Sequence, residues 1–282
     1  MSIYIELNRQ LLPLQEKPKE DNKDDWFLEF SGNGIEWQTL LDSSKRTIIL
    51  AEPGAGKTEE LKAQEDRLRK DGKAAFFFRI EMLVDNCNAL AIDNPQLIDE
   101  YDQWLGGTEE GYFFLDSVDE ARLTNRKAYE NALRRFASET YKQMHRMTIV
   151  VSCRVGDWQA NADLATFEKI FPTFLTNQKN QDLSNPDQEG YDFYGKTNIF
   201  QLAPLDTKQV NEFISSMLVE NSSNLIDSIE ENEASIFTER PQDLIELIDY
   251  WIAHGRLECH SKMLEFNIKI KLKVHDPNRF MV

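Results

Sequence analysis

The residues most suited to chemistry lie in one stretch, AEPGAGKT, which runs from Ala51 to Thr58. It fits the pattern G-x-x-x-x-G-K-[ST], except that Ala51 replaces the first glycine. The small central residues let backbone N–H groups converge on phosphate oxygens, Lys57 can reach the β- and γ-phosphates, and the Thr58 hydroxyl can bind Mg²⁺. A glycine-rich turn without a ligand is the alternative interpretation. The residues assigned to nucleotide binding here are Glu52, Pro53, Gly54, Ala55, Gly56, Lys57, Thr58 and Glu59.

An apolar strand that ends in a carboxylate supplies the second part of this site. The run FFL leads directly into Asp116, where a carboxylate can hold Mg²⁺ beside the phosphate-binding loop. Asp119 and Glu120 follow closely, and either can orient or deprotonate an attacking water. Alternatively, these two carboxylates cap the start of a helix. We therefore expect a nucleotide as the ligand, with Thr58 and Asp116 as the Mg²⁺ ligands, and the choice between ATP and GTP stays open at this point.

The strand predicted at 148–152, which continues into Cys153 and Arg154, supplies the third part of this site. Its exit delivers a polar residue and an arginine to the same edge of the sheet. Arg154 can sense a γ-phosphate there, and the alternative is a surface arginine paired with Asp157. The residues predicted to take part in catalysis are Lys57, Asp116, Asp119, Glu120 and Arg154.

Alternating strands and helices must position these residues. Predicted strands lie at 47–51, 74–80, 112–115, 148–152 and 198–202. Helical patterns separate the first four strands, and a long polar loop or insertion at 173–197 precedes the last. This alternation predicts an α/β fold, a P-loop NTPase three-layer sandwich with a mainly parallel sheet, because crossovers between parallel strands are right-handed and carry helices. A small helical domain follows, since only helical patterns continue at 206–219, 225–229, 231–237 and 242–254. The predicted domains are an irregular lead-in at 1–33, the NTPase domain at 34–203, a helical lid at 204–265 and a truncated C-terminal segment at 266–282.

Composition restricts the class of partner. The formal net charge of −17 disfavours a nucleic-acid partner, because binding to a phosphate backbone depends on many lysine and arginine contacts. No apolar run reaches the roughly 18 residues needed to span a bilayer. Three widely spaced cysteines fit neither a disulfide framework nor a zinc site. We therefore expect a cytoplasmic protein that does not bind membranes.

Several segments together resemble the NACHT branch of the STAND NTPases, which are nucleotide-dependent signalling switches. LDSVDE is similar to the Walker B signature of that family, and VSCR is similar to its sensor-1 strand ending in arginine. NIFQLAPLDTKQVNEFI and ERPQDLIELI resemble its helical-domain segments. The resemblance covers about residues 35–265. It implies that Pro241 contacts adenine and that Asp116, Glu120 and Arg154 take the roles of the family.

The resemblance also implies slow ATP hydrolysis in signalling or anti-phage defence. The usual effector and sensor domains do not fit within the chain, so we expect a fragment, a truncated gene product or one part of a multi-chain system. Its expected partners are other protein chains or the missing sensor and effector domains, and we also expect nucleotide-dependent oligomerisation. Two alternatives stay open at this point: an AAA+-like loader or remodelling ATPase, and an ADP-binding interaction module without turnover.

Overall fold

A computed structural model of the protein describes residues 4–14, 34–80, 83, 96–116, 126–158, 160–173, 195–219 and 222–274. The chain divides into two compact units. The sheet unit comprises the described residues of 9–52 and 57–203, and the helical unit comprises those of 1–8, 53–56 and 204–282. The domain limits expected from the sequence stay a prediction.

The sheet unit is built on one sheet whose described strands are β1 (Gln10–Pro13), β2 (Ile35–Glu36), β3 (Arg46–Ala51), β4 (Ala74–Arg79), β5 (Gly111–Asp116), β6 (Met147–Arg154) and β7 (Asn198–Leu202). Their spatial order is β2-β1-β7-β3-β6-β5-β4. The five strands from β7 to β4 pair in parallel, and β1 pairs antiparallel with β2 and β7. Strand β6 therefore lies between β3 and β5.

Helices cover both faces of the parallel strands. The described helices of this unit are α1 (Trp37–Ser43), α2 (Lys57–Lys70), α3 (Gln96–Gly106), α4 (Arg126–Glu139) and α5 (Ala160–Ile170). Every residue of β3 and β5 is buried, as expected for strands covered on both sides. Helices α3, α4 and α5 share a core with Phe76 and Phe78. Helix α2 lies on the other face, because its Lys62 ammonium lies 5.6 Å from the ring of the intervening Phe77.

A buried arginine joins β3 to β6 at the amino ends of the strands. The guanidinium of Arg46, which is 1% exposed, donates to five backbone carbonyls. Burial lowers the pKa of Arg46 to about 10. The carbonyl acceptors belong to Lys45, Met144, Met147, Phe171 and Pro172. Because the guanidinium and the carbonyls are hydrogen-bonded to one another, this contact holds β3 in place ahead of the glycine-rich segment at 53–56.

The helical unit contains α6 (Thr207–Ser216), α7 (Ser222–Glu231), α8 (Pro241–His254) and α9 (His260–Val274) among its described residues. Asp206 begins α6 with a capping box, in which its side chain accepts from the Gln209 backbone and the Gln209 side chain accepts in return. Leu225, Leu244 and Ile248 are buried in the core that these helices share.

The predicted α/β class is confirmed: a mainly parallel sheet with helices on both faces, and a helical unit. Two local predictions are wrong. Gln10–Pro13, predicted to be irregular, is a strand. It pairs with β7, a contact distant in the chain that no local sequence pattern predicts. The helix predicted at 231–237 is a 3-10 turn at Ala234–Phe237, which follows the left-handed residue Glu233. None of the described helices has the length and apolar character needed to cross a membrane.

Candidate functional site

The backbone between β3 and α2 has the conformation that its glycines permit. Gly54 has φ +78° and Gly56 has φ +90°, a region in which residues with a Cβ are strained. Lys57 then begins α2 and Thr58 is its second residue. The sequence folds in this way because β3 ends where the small residues begin, and the charged, amphipathic run from Lys57 to Lys70 favours a helix.

The ammonium group of Lys57 lies over the carboxyl end of β3. It donates to the carbonyl oxygens of Ala51 at 2.8 Å and Glu52 at 3.2 Å. Burial lowers the pKa of Lys57, while the charge of Asp116 raises it and the charge of Arg154 lowers it further. Lys57, Asp116 and Arg154 therefore form one electrostatic cluster at the carboxyl edge of the sheet.

The carboxylate of Asp116 is held by two hydroxyl groups. Thr58 Oγ1 donates to Asp116 Oδ2 at 2.7 Å, and Ser152 Oγ donates to Asp116 Oδ1. Asp116 and Ser152 are both fully buried. Burial raises the pKa of Asp116, whereas the hydrogen bonds from Ser152 and Thr58 lower it. The charge of Lys57 also lowers it.

The donor set fits a magnesium ion bound together with phosphate. A hydroxyl oxygen and a carboxylate oxygen, 2.7 Å apart in Thr58 and Asp116, are the hard oxygen ligands that Mg²⁺ prefers. No group of three or more His, Cys, Asp or Glu side chains suited to a metal occurs in the described part of the chain. Mg²⁺ commonly uses only one or two carboxylates and completes its shell with water and substrate phosphates.

The carboxyl end of β6 brings two more side chains to this edge. Arg154 pairs in register with Ala51, the last residue of β3, and is half-buried. Its neighbour Cys153 is buried, and burial raises the pKa of its thiol to about 11. That thiol is therefore protonated at neutral pH and is not a ready nucleophile.

Residues 53–56 of the loop belong to the helical unit, where they contact the start of α8. The backbone N–H of Gln242 donates to the carbonyl of Gly54 at 3.2 Å. The guanidinium of Arg240 donates to the carbonyl of Pro53 at 3.4 Å and to Asp243 at 2.6 Å. Pro241, predicted to contact adenine, is the first residue of α8, a position that proline favours.

The other predicted residues have different surroundings. Asp119 and Glu120 lie outside the described residues. Glu52 is exposed, and Glu59 forms an ion pair of 3.6 Å with Lys62 on α2. Ala55 is buried. Sequence reasoning assigned no role to Ser152; the available signal was its place in a strand whose next residues, Cys153 and Arg154, lead to the same edge as Asp116.

Comparison with known proteins finds no matching family model and no matching curated protein. Similar solved structures include the replication initiator DnaA bound to AMPPCP and single-stranded DNA, at 15% identity and a TM-score of 0.44, covering 77% of this chain. A DNA replication initiation factor also covers 77%, at 15% identity and a TM-score of 0.45. AMPPCP-bound DnaA from Aquifex aeolicus covers 84%, at 14% identity and a TM-score of 0.42.

The match covers only part of those proteins. It spans 59% of each of the first two solved chains and 64% of the third. At these identities and TM-scores, the likeness carries no argument about what this chain binds.

Proposed function

We propose that this protein binds ATP and ADP with Mg²⁺, hydrolyses ATP slowly and acts as a nucleotide-dependent molecular switch. The observation that carries the proposal is the grouping of Lys57, Thr58 and Asp116 at the carboxyl edge of β3 and β5. A cation, a hydroxyl and a carboxylate in this arrangement suit a phosphate chain and its metal ion.

Each residue has a definite task in this proposal. Backbone N–H groups of the glycine-rich loop and the ammonium of Lys57 bind the phosphates, and Thr58 and Asp116 bind the metal ion. When bound, Mg²⁺ neutralises charge on the β- and γ-phosphates. Arg154 contacts the γ-phosphate. Of the two carboxylates at 119 and 120, Glu120 orients and deprotonates the attacking water.

The more specific assignment, a NACHT-type STAND switch, is supported by the sequence segments LDSVDE, VSCR and ERPQDL. On this assignment Pro241 contacts the adenine, and Glu52, Pro53, Ala55 and Glu59 line the phosphate loop. Binding at the γ-phosphate favours one of two conformational states. Other protein chains then read the state, in signalling or anti-phage defence, and nucleotide-dependent oligomerisation is the expected readout.

One experiment separates this function from its alternatives. The nucleotide retained by the purified chain is identified by mass, and steady-state phosphate release is measured with and without single-stranded DNA. A switch ATPase retains ADP or ATP and releases phosphate slowly, with no response to DNA. Rapid release stimulated by DNA would indicate a loader ATPase, and tight ADP without release would indicate an interaction module. A chain that binds no nucleotide would contradict the proposal.

A further inference from the structure

The two oxygens of the Asp116 carboxylate have different hydrogen-bond donors. Oδ2 accepts from Thr58, which lies on α2 directly after the phosphate-binding lysine. Oδ1 accepts from Ser152, which lies on β6. Both Asp116 and Ser152 have no exposed surface. The carboxylate is therefore held by two donors. One of them, Thr58, is expected to bind the metal ion as well, and the other, Ser152, is not.

Strand register explains why Ser152 reaches Asp116. Leu115 of β5 pairs with Val151 of β6 in a parallel ladder, so the next residues along both strands are neighbours. Successive side chains of a strand alternate between faces, and Asp116 and Ser152 therefore lie on the same face. On its other side, Ser152 pairs with Ile49 of β3. The serine thus stands between the strand of the phosphate loop and the strand of the carboxylate.

We propose that Ser152 is a positioning residue for the magnesium ion, an inference that rests on the proposed function. Thr58 is itself an expected metal ligand, so its contact with Asp116 belongs to the part of the site that changes when a ligand binds. The Ser152 bond lies at the other oxygen. Terminal carboxylate torsions are broad, and a second fixed contact keeps Asp116 Oδ2 directed toward Thr58 and the metal. Without Ser152, Oδ1 is a buried acceptor that has lost this donor, and the carboxylate is free to turn.

The same strand provides a matched control. Thr148 is also buried in β6, at 1% exposure, and its hydroxyl has no hydrogen-bond partner among the described residues. Thr148→Val removes that hydroxyl with little change of shape. Ser152→Ala removes the proposed contact, and Ser152→Thr keeps a hydroxyl at the same position. Comparison of the three variants shows whether an effect comes from removing any buried hydroxyl of β6 or from removing the hydrogen bond to Asp116.

The experiment measures the affinity of the full chain for fluorescent ADP in EDTA and over a range of Mg²⁺ concentrations. Mn²⁺ binding to the ADP complex is followed by electron paramagnetic resonance. For Ser152→Ala we expect an ADP affinity in EDTA within about twofold of that of the parent chain. The factor by which Mg²⁺ increases ADP affinity should be roughly tenfold smaller in this variant. Mn²⁺ binding weakens by a similar factor. Ser152→Thr restores most of the increase in ADP affinity, and Thr148→Val leaves it unchanged.

Kinetics provide a second test, because general destabilisation would not change the Mg²⁺ dependence of the rate while leaving kcat unchanged. In phosphate release, Ser152→Ala should raise the Mg²⁺ concentration for half-maximal rate about tenfold, while kcat at saturating Mg²⁺ stays close to the parent value. If Ser152→Ala does not fold, Ser152→Cys takes its place, because a thiol is a weak donor and the same loss is expected.

Parent-like Mg²⁺ dependence in Ser152→Ala or Ser152→Cys would overturn the inference. An equal loss in EDTA and in Mg²⁺, or the same loss in Thr148→Val, would assign Ser152 a structural role and overturn it as well. Failure of the parent chain to bind ADP refutes the proposed function itself, and this result is visible before any variant is compared.

Discussion

Replacement of Lys57 by alanine tests the phosphate-binding assignment directly. The ammonium donates to two neutral carbonyl oxygens, of Ala51 and Glu52. On nucleotide binding it would exchange these acceptors for phosphate oxygens. Its bonds to the carbonyl oxygens involve one charged partner, and its bonds to phosphate would involve two. We take the added charge to strengthen each bond by about 0.5–2 kcal/mol, the difference between ordinary and charge-assisted hydrogen bonds. Two such exchanges give a net gain of about 1–4 kcal/mol, so the central expectation for Lys57→Ala is a loss of ADP affinity on the order of 10²-fold.

The variant should fold as well as the parent chain. Burial lowers the pKa of Lys57, so its charged form is less favoured in the folded chain than in the unfolded chain. Removal of the charge relieves this penalty while it removes the two carbonyl contacts. The two effects oppose each other, and we expect the Tm without nucleotide to stay within about 2 °C of the parent, a change of under about 1 kcal/mol.

Thermal melting with and without ADP and Mg²⁺ is the assay. At a ligand concentration a hundred times the parent Kd, the stabilisation is about 2.7 kcal/mol, or roughly 5–11 °C in Tm. A hundredfold weaker variant at the same concentration gains only about 0.4 kcal/mol, or about 1–2 °C. Lys70→Ala is the control: Lys70 is exposed at the far end of the same helix, and it should keep the full shift. A parent-like shift in Lys57→Ala would refute the assignment.

Three further predictions concern other parts of the chain. Glu120→Gln should keep nucleotide affinity but slow phosphate release on the order of 10²-fold, whereas a greater effect of Asp119→Asn would exchange their roles. Burial raises the pKa of Glu65 to about 7, so stability should fall as pH rises from about 4.5 to about 7, by on the order of 1–3 kcal/mol, and Glu65→Gln should remove this fall in denaturant titrations. Pro241→Ala should weaken ADP binding about tenfold through lost contact with the base, as isothermal titration would measure; unchanged affinity would exclude that contact.

The elements that carry the site were predictable because their signals are local. Apolar runs bounded by polar residues mark β3 and β5, and the small residues before Lys57 mark the turn into α2. A strand ending in Asp116 was readable because FFL is followed at once by a carboxylate. The parallel arrangement then follows from the intervening helices. These features depend only on residues close together in the chain.

The order of the strands was not predictable in the same way, and part of the site depends on it. β6 separates β3 from β5, so the immediate neighbour of Asp116 is Ser152, 36 residues away along the chain. The pairing of Gln10–Pro13 with β7 joins segments still further apart. Such contacts depend on long-range packing, for which a single sequence offers no periodic signal.

A glycine is required at position 54 for two reasons, a positive φ and close packing against Gln242, and the sequence motif indicates only the first. Its φ of +78° needs a residue without a Cβ, which is the familiar demand of a phosphate-binding turn. A Cβ built on Gly54 would also lie 2.9 Å from Cβ of Gln242 at the start of α8. The carbonyl of Gly54 accepts from the backbone of that same residue. Replacement of Gln242 by glycine removes the second obstacle to a larger residue at 54 but not the first. The glycine is therefore required both by the backbone conformation of the loop and by packing within the helical unit. The sequence motif predicts the first requirement, whereas the second depends on a contact with a residue far away in the chain.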